Sequence, residues 1–278
     1  MLQTFKELHT YGVGAVDGEI GQVRDLYVDD EGWIVRYLVV ETGGWLSSKK
    51  VLISPIAIGK PDRAKRLLPV LITKEQVRNS PDFDSEKPVT RQHEMEYSSY
   101  YGYPYYWGGM GYWAGGAYPN MMLSGYGGIP TPKVEETEAN NVRARAESAR
   151  DGDQNADPHL RSCAAVKGYH IHATDADVGH VSGMLIDDET WAVRYLIVDT
   201  SNWWVGHQML IAPKWIESVS WADGTVSVGL TRQAIKDAPA YDPATSLTRT
   251  DEGLLYRHYG RTGYWADAEK RETEISRV

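Results

Sequence analysis

The chain has 278 residues, 42% hydrophobic and 24% charged, with a formal net charge of −9. Residues 1–107 carry 13 basic and 15 acidic side chains, 108–160 carry 4 and 7, and 161–278 carry 12 and 16, so no segment is basic enough for bulk phosphate neutralisation of a nucleic acid. A single cysteine, Cys163, excludes an internal disulfide and a cysteine-built zinc site, and fits a reducing compartment. No apolar run reaches 18 residues and the N-terminus lacks an apolar leader, so neither a transmembrane segment nor a signal peptide is expected, and the expected location is cytoplasmic.

From the N-terminus, the first strong signal is Gln22–Val28 followed by Trp33–Val40, two runs rich in β-branched and aromatic residues. Asp29-Asp30-Glu31-Gly32 between them is turn chemistry, which predicts a β-hairpin. In the second run Trp33, Val35, Tyr37 and Val39 alternate with Ile34, Arg36, Leu38 and Val40, and both faces are largely apolar. A strand buried on both sides predicts a closed barrel with something covering its outside. Val51–Ile53, stopped by Pro55, and Leu67–Ile72 predict further strands. Thr73 before Lys74–Arg78 predicts an N-capped helical turn, and the chain around Glu94 predicts a helix that breaks at Tyr101-Gly102.

The chain then repeats itself. Val28–Thr42 returns as Ile186–Thr200, 158 residues downstream, and the same offset matches Gly21 with Gly179, Trp45 with Trp203, Pro55 with Pro213 and Asp84 with Asp242. The register continues through Thr90-Arg91 with Thr248-Arg249, Glu94 with Glu252, Tyr101-Gly102 with Tyr259-Gly260, and Tyr106-Trp107 with Tyr264-Trp265. The duplicated unit therefore runs from about 5 to 107 and from about 163 to 265. Gly108–Gly128 is rich in Gly, Tyr, Trp and Met and has no period, which predicts a flexible linker with exposed aromatics. Val134–Arg150 reads as transiently helical, and Asp151–Asp157 as disordered.

The string from Gly21 to Thr42, with Trp45 and Val51–Pro55, resembles the PRC-barrel family, and the second copy departs from it at Gly183, Met184 and Ala212. The resemblance implies a small β-barrel similar to the cytoplasmic barrel of the photosynthetic reaction centre H subunit and to the C-terminal barrel of the ribosome maturation factor RimM. The expected fold is all-β, with two PRC-type β-barrels in tandem and short helical segments. The expected domains are barrel 1 at 5–84, an aromatic tail at 85–107, a flexible linker at 108–160, barrel 2 at 163–242, a second aromatic tail at 243–265 and a disordered C-terminus at 266–278. The reaction-centre subunit's N-terminal transmembrane helix and RimM's N-terminal domain have no counterpart here, so neither specific role carries over.

The repeat signature, Asp29, Asp30, Trp33, Arg36 and Tyr37 with Asp187, Asp188, Trp191, Arg194 and Tyr195, reads as structural: acidic turns, and arginines paired with a carboxylate such as Glu41 or Asp199. His170, His172, His180 and His207 have no histidine counterparts in the first copy, so no metal is expected. Lys60, Arg63, Lys65 and Arg66 read as a solvated loop, with RNA contact as the sharper alternative. There is no G-x-S-x-G, Walker loop or cysteine–histidine pairing, so no catalytic residue and no cofactor is expected. Tyr101, Tyr106, Trp107, Tyr259, Tyr264 and Trp265 lie beyond the barrel yet occur in both copies, which makes them candidate partner-binding residues. The expected function is a non-enzymatic adaptor for an unidentified protein partner, with the two barrels packing on each other. The alternatives are an RNA- or ribosome-associated binding module and a peripheral component of a membrane photosynthetic or electron-transfer complex.

Overall fold

The computed structural model describes residues 1–85, 87–107, 112–113, 116–122, 159–200 and 207–266. The readings of 123–158 and of 267–278 as flexible or disordered fall outside those residues. The strands are β1 (Leu2–Thr4), β2 (Gly12–Ala15), β3 (Gly18–Asp29), β4 (Val35–Thr42), β5 (Lys50–Ile53), β6 (Leu67–Pro69), β7 (Leu160–Ser162), β8 (His170–His172), β9 (Asp177–Asp187), β10 (Val193–Asp199), β11 (Gln208–Ile211), β12 (Ile216–Ser220) and β13 (Thr225–Val228). They form two separate sheets. One runs β5-β4-β3-β2-β6 with β7 beside β3; the other runs β11-β10-β9-β8-β13-β12 with β1 beside β9. The all-β expectation with short helices is met.

The β3–β4 hairpin lies where the alternation placed it, with Leu26 opposite Leu38 and Tyr27 opposite Tyr37. The strands approach most closely at Gly21, where a Cβ would overlap the Glu41 carbonyl; Gly179 meets the Asp199 carbonyl in the same way. Only glycine leaves room for that approach, which explains its place at the head of the repeated string. One expectation needs correcting. Trp33 and Trp191 do not start the second strand: each sits in the turn with φ near +54° and +61°. Each donates its backbone N–H across the turn, to the Asp29 and Asp187 carbonyls. The predicted Leu67–Ile72 strand is likewise shorter, ending at Pro69.

The helical elements follow their caps. Thr73 and Gln76 form a capping box for Lys74–Arg78, and Thr231 caps Arg232–Lys236. The helices expected around Glu94 and Glu252 span Arg91–Tyr101 and Arg249–His258, capped by Thr90 and Thr248. They stop at left-handed Gly102 and just before left-handed Gly260. In each copy Val or Ile dominates the strand core: Val13, Val23, Leu38, Val40 and Ile53 are fully enclosed in one, and Ile171, Val181, Val198 and Ile211 in the other. Each such side chain contributes roughly 1.5–3 kcal/mol.

The compact units do not follow the repeat boundaries. The first takes Met1, residues 3–166 and residues 184–194; the second takes Leu2, residues 167–183 and residues 195–278. The first unit thus contains the tip of the second copy's hairpin. There Ile34 bridges Ala192, the Val35 N–H donates to the Trp191 carbonyl at 2.8 Å, and the Val193 N–H donates to the Trp33 carbonyl at 2.8 Å. The first unit also contains β7, which pairs with β3 from Tyr27↔Ser162 to Asp29↔Leu160. Asp25 receives the Ser162 hydroxyl at 2.5 Å and the Ala164 N–H at 3.1 Å, and so caps the helical turn Cys163–Val166.

Candidate functional site

The Arg-x-x-Glu spacing at Arg91/Glu94 puts cation and carboxylate one turn apart on the tail helix. Glu94 faces β4 and is fully buried. Its Oε2 accepts from Tyr37 Oη at 3.3 Å and from Tyr106 Oη at 2.6 Å; its Oε1 accepts from Arg91 Nη1 at 3.2 Å and lies 2.5 Å from His159 Nε2. Burial alone would raise this carboxyl, but His159, Arg91 and the Tyr106 hydroxyl together hold it below its ordinary range. The same environment, burial first and the Glu94 charge second, pushes the Tyr37 and Tyr106 hydroxyls well up, so both stay neutral donors.

The second unit repeats the arrangement with fewer charges. Glu252 Oε1 accepts from Tyr195 Oη at 2.8 Å and Tyr264 Oη at 3.0 Å, and Arg249 Nη1 lies 2.7 Å from Oε2. In each copy the tryptophan of the Tyr-Trp pair turns outward and meets the same arginine. Arg91 lies 4.3 Å from the Trp107 ring and Arg249 lies 4.4 Å from the Trp265 ring. Trp107 stacks on Tyr105 at 4.7 Å, and Trp265 meets Tyr256 edge-on at 5.1 Å. Tyr106 is therefore the inner, hydrogen-bonded member of the first pair, with Trp107 half-buried beside it, whereas Tyr264 and Trp265 are both half-buried.

The six candidate partner-binding residues accordingly divide. Tyr106 is buried, whereas Tyr101, Trp107, Tyr259, Tyr264 and Trp265 are half-buried. Tyr101 lies between Tyr97 at 4.7 Å and Tyr103 at 5.3 Å, and Tyr259 lies 4.8 Å from Trp215. The repeat signature is occupied by internal contacts. Arg36 pairs with Asp29 at 2.7 Å and Arg194 with Asp187 at 2.8 Å. The expectation of Glu41 as the Arg36 partner is corrected: Glu41 pairs with Arg24 at 2.7 Å instead. Asp29, at the end of β3, reaches Arg36 seven positions on with one carboxylate oxygen, and its other oxygen closes the turn by accepting the Gly32 N–H at 2.5 Å. Asp30 receives Arg161 at 3.0 Å, and Asp188 receives Gln3 at 2.7 Å.

The basic loop is partly committed internally, with Arg63 paired to Asp188 and Lys65 3.4 Å from Asp62. His170 and His180 lie opposite each other in the β8–β9 register, and His172 pairs with Asp177. Among the described residues no three His, Cys, Asp or Glu side chains gather as metal ligands. None of the described helices is long and apolar enough to cross a membrane. Sequence reasoning noted Arg91, Glu94, Arg249 and Glu252 only as register matches; their doubled Arg-x-x-Glu spacing was the signal that could have placed them. It missed His159 and Tyr112-Trp113, which have no described second copy to mark them.

Residues 13–76, which contain the β3–β4 hairpin, match the PRC-barrel domain family, and this part of the chain is a PRC-barrel domain. The second sheet repeats its strand order from duplicated sequence. The chain is also similar to an uncharacterized protein of Deinococcus radiodurans, 38% identical over 77 residues, which are 28% of this chain and 27% of that protein. The match thus spans about a quarter of the length of that relative.

Proposed function

We propose that this protein is a non-enzymatic adaptor of tandem PRC barrels that binds a protein partner through the two tail Trp–Arg pairs. The observation that carries this reading is the doubled Tyr–Glu anchor: Tyr37, Tyr106 and Glu94, and again Tyr195, Tyr264 and Glu252, fix the residue next to Trp107 and Trp265, and each tryptophan meets the arginine of its own copy, Arg91 or Arg249. Aromatic–arginine pairs of this kind supply large, rigid contact area at low entropic cost, which is the chemistry of interface hot spots. The domain type supports a binding or structural role rather than catalysis. The setting proposed is the cytoplasm, consistent with one buried free cysteine.

The test is a photo-crosslinking amino acid placed at Trp107 or Trp265 in the full chain, with Val16, an exposed residue outside the tails, as the control position. A specific adduct at both tail positions and not at Val16 is the expected result. The Trp107→Ala/Trp265→Ala double variant should lose that partner while still melting cooperatively. Equal labelling at Val16 would remove the reading. The basic loop is a weaker basis for the RNA alternative, because Arg63 and Lys65 already have carboxylate partners.

A further inference from the structure

In the first unit Tyr112-Trp113 is held as a bound peptide would be. Arg36 Nη1 donates to the Tyr112 carbonyl at 2.5 Å, Arg194 Nη1 donates to Tyr112 Oη at 3.3 Å, and Trp113 Nε1 donates to the Thr190 carbonyl at 3.0 Å. The Trp113 ring, only 2% exposed, lies 4.8 Å from the Arg36 guanidinium, which is also 3.9 Å from Tyr106. Recognition thus uses one main-chain acceptor, one hydroxyl, one indole N–H and a cation–π face. Their partners, Arg36, Arg194 and Thr190, all lie 76 or more positions away along the chain.

The host does not need the guest for its own geometry. Arg36 is fixed by Asp29, and Arg194 by Asp187 and by Thr190 Oγ1 at 2.9 Å. The two hairpin tips are joined by their own Ile34–Ala192 bridge. Both arginines are neutralised by these aspartates, so the cleft suits a neutral aromatic segment rather than an anion. A cleft organised before its occupant arrives is a binding site in the usual sense.

We infer that this cleft is a recognition site for an extended Tyr-Trp segment, and that Tyr112-Trp113 is its tethered internal ligand. The covalent tether gives the internal segment an effective concentration in the millimolar range. A free peptide therefore competes poorly with it, and the site opens to an outside segment only when the internal one leaves.

The experiment uses the full chain and the capped pentapeptide Gly-Tyr-Trp-Ala-Gly, followed by calorimetry. The hosts are the wild type, Trp113→Ala and Trp113→Leu, the last retaining apolar volume without the indole N–H. At least one folded variant should bind the peptide about tenfold or more tighter than the wild type does. A peptide with alanine in place of tryptophan should bind none of them. The inference is overturned if no folded variant binds at millimolar peptide, if wild type and variants bind alike, or if the alanine peptide binds equally. Failure of both variants to fold overturns it too, since a guest whose loss unfolds the host is core, not ligand.

Discussion

At the scale of single residues, Glu94 is the most consequential side chain outside the strands. Glu94→Gln keeps the shape but leaves Arg91 and His159 facing a neutral amide, and should cost on the order of 3 kcal/mol in a denaturant melt. Glu252→Gln should cost less, roughly 1–2 kcal/mol, because its partner Arg249 is 55% exposed and already half in water. The Glu94 carboxyl is held below its ordinary value near 4.5. A carboxyl depressed on folding contributes stability that is fully present above the unfolded value and is lost as pH falls through the folded value. Stability measured from pH 6 down to pH 3 should therefore fall more steeply in the wild type than in Glu94→Gln; parallel curves would contradict the charge assignment. The doubled Arg-x-x-Glu spacing was legible in the sequence. Its strand partners were not: Tyr37 and Tyr195 each lie 57 positions away, and no local pattern records a contact at that distance.

At the scale of elements, the hairpin and the tail helix were readable because their signals are local. Turn residues at Asp29–Gly32, period-two alternation along β4 and threonine caps before each helix all act within a few positions. The misplacement of Trp33 and Trp191 had a non-local cause. A left-handed tryptophan is unfavourable by itself, by about 1–3 kcal/mol. It is held here by burial of the ring and by the tip-to-tip hydrogen bonds of the first unit. The close approach at Gly21 and Gly179 yields a sharp prediction. Gly21→Ala or Gly179→Ala should each destabilise by more than about 3 kcal/mol, because the obstacle is backbone carbonyl and cannot rotate away. Gly102→Ala meets no neighbour within 4 Å and should cost only about 1 kcal/mol, the penalty of its left-handed φ. Thermal melts of the three variants would rank them.

At the scale of the whole molecule, duplication did not produce two units cut at the repeat boundary. The first unit carries residues 184–194 of the second copy, together with β7 and the turn Cys163–Val166. The Val35 and Val193 amides, which donate to Trp191 and Trp33, are therefore expected to exchange with solvent together and only on unfolding of that unit. Native-state hydrogen exchange that releases one long before the other would show that the bridge opens independently. Part of the stretch read as a flexible linker also belongs to this unit, because Tyr112 and Trp113 find donors and acceptors on Arg36, Arg194 and Thr190.

The sequence by itself determined the central hairpin, its duplication at a constant offset, the capped helices and the identity of the paired tail residues. All of these are written in short-range periodicity or in self-similarity, which one chain displays in full. Only the tertiary structure decided that the arginines pair across their own turns, that Tyr106 and Tyr264 donate to the buried Glu94 and Glu252, and that Tyr112-Trp113 occupies a cleft. Those outcomes depend on which distant groups satisfy a buried charge or hydrogen-bonding atom, and that choice is made by packing rather than by spacing.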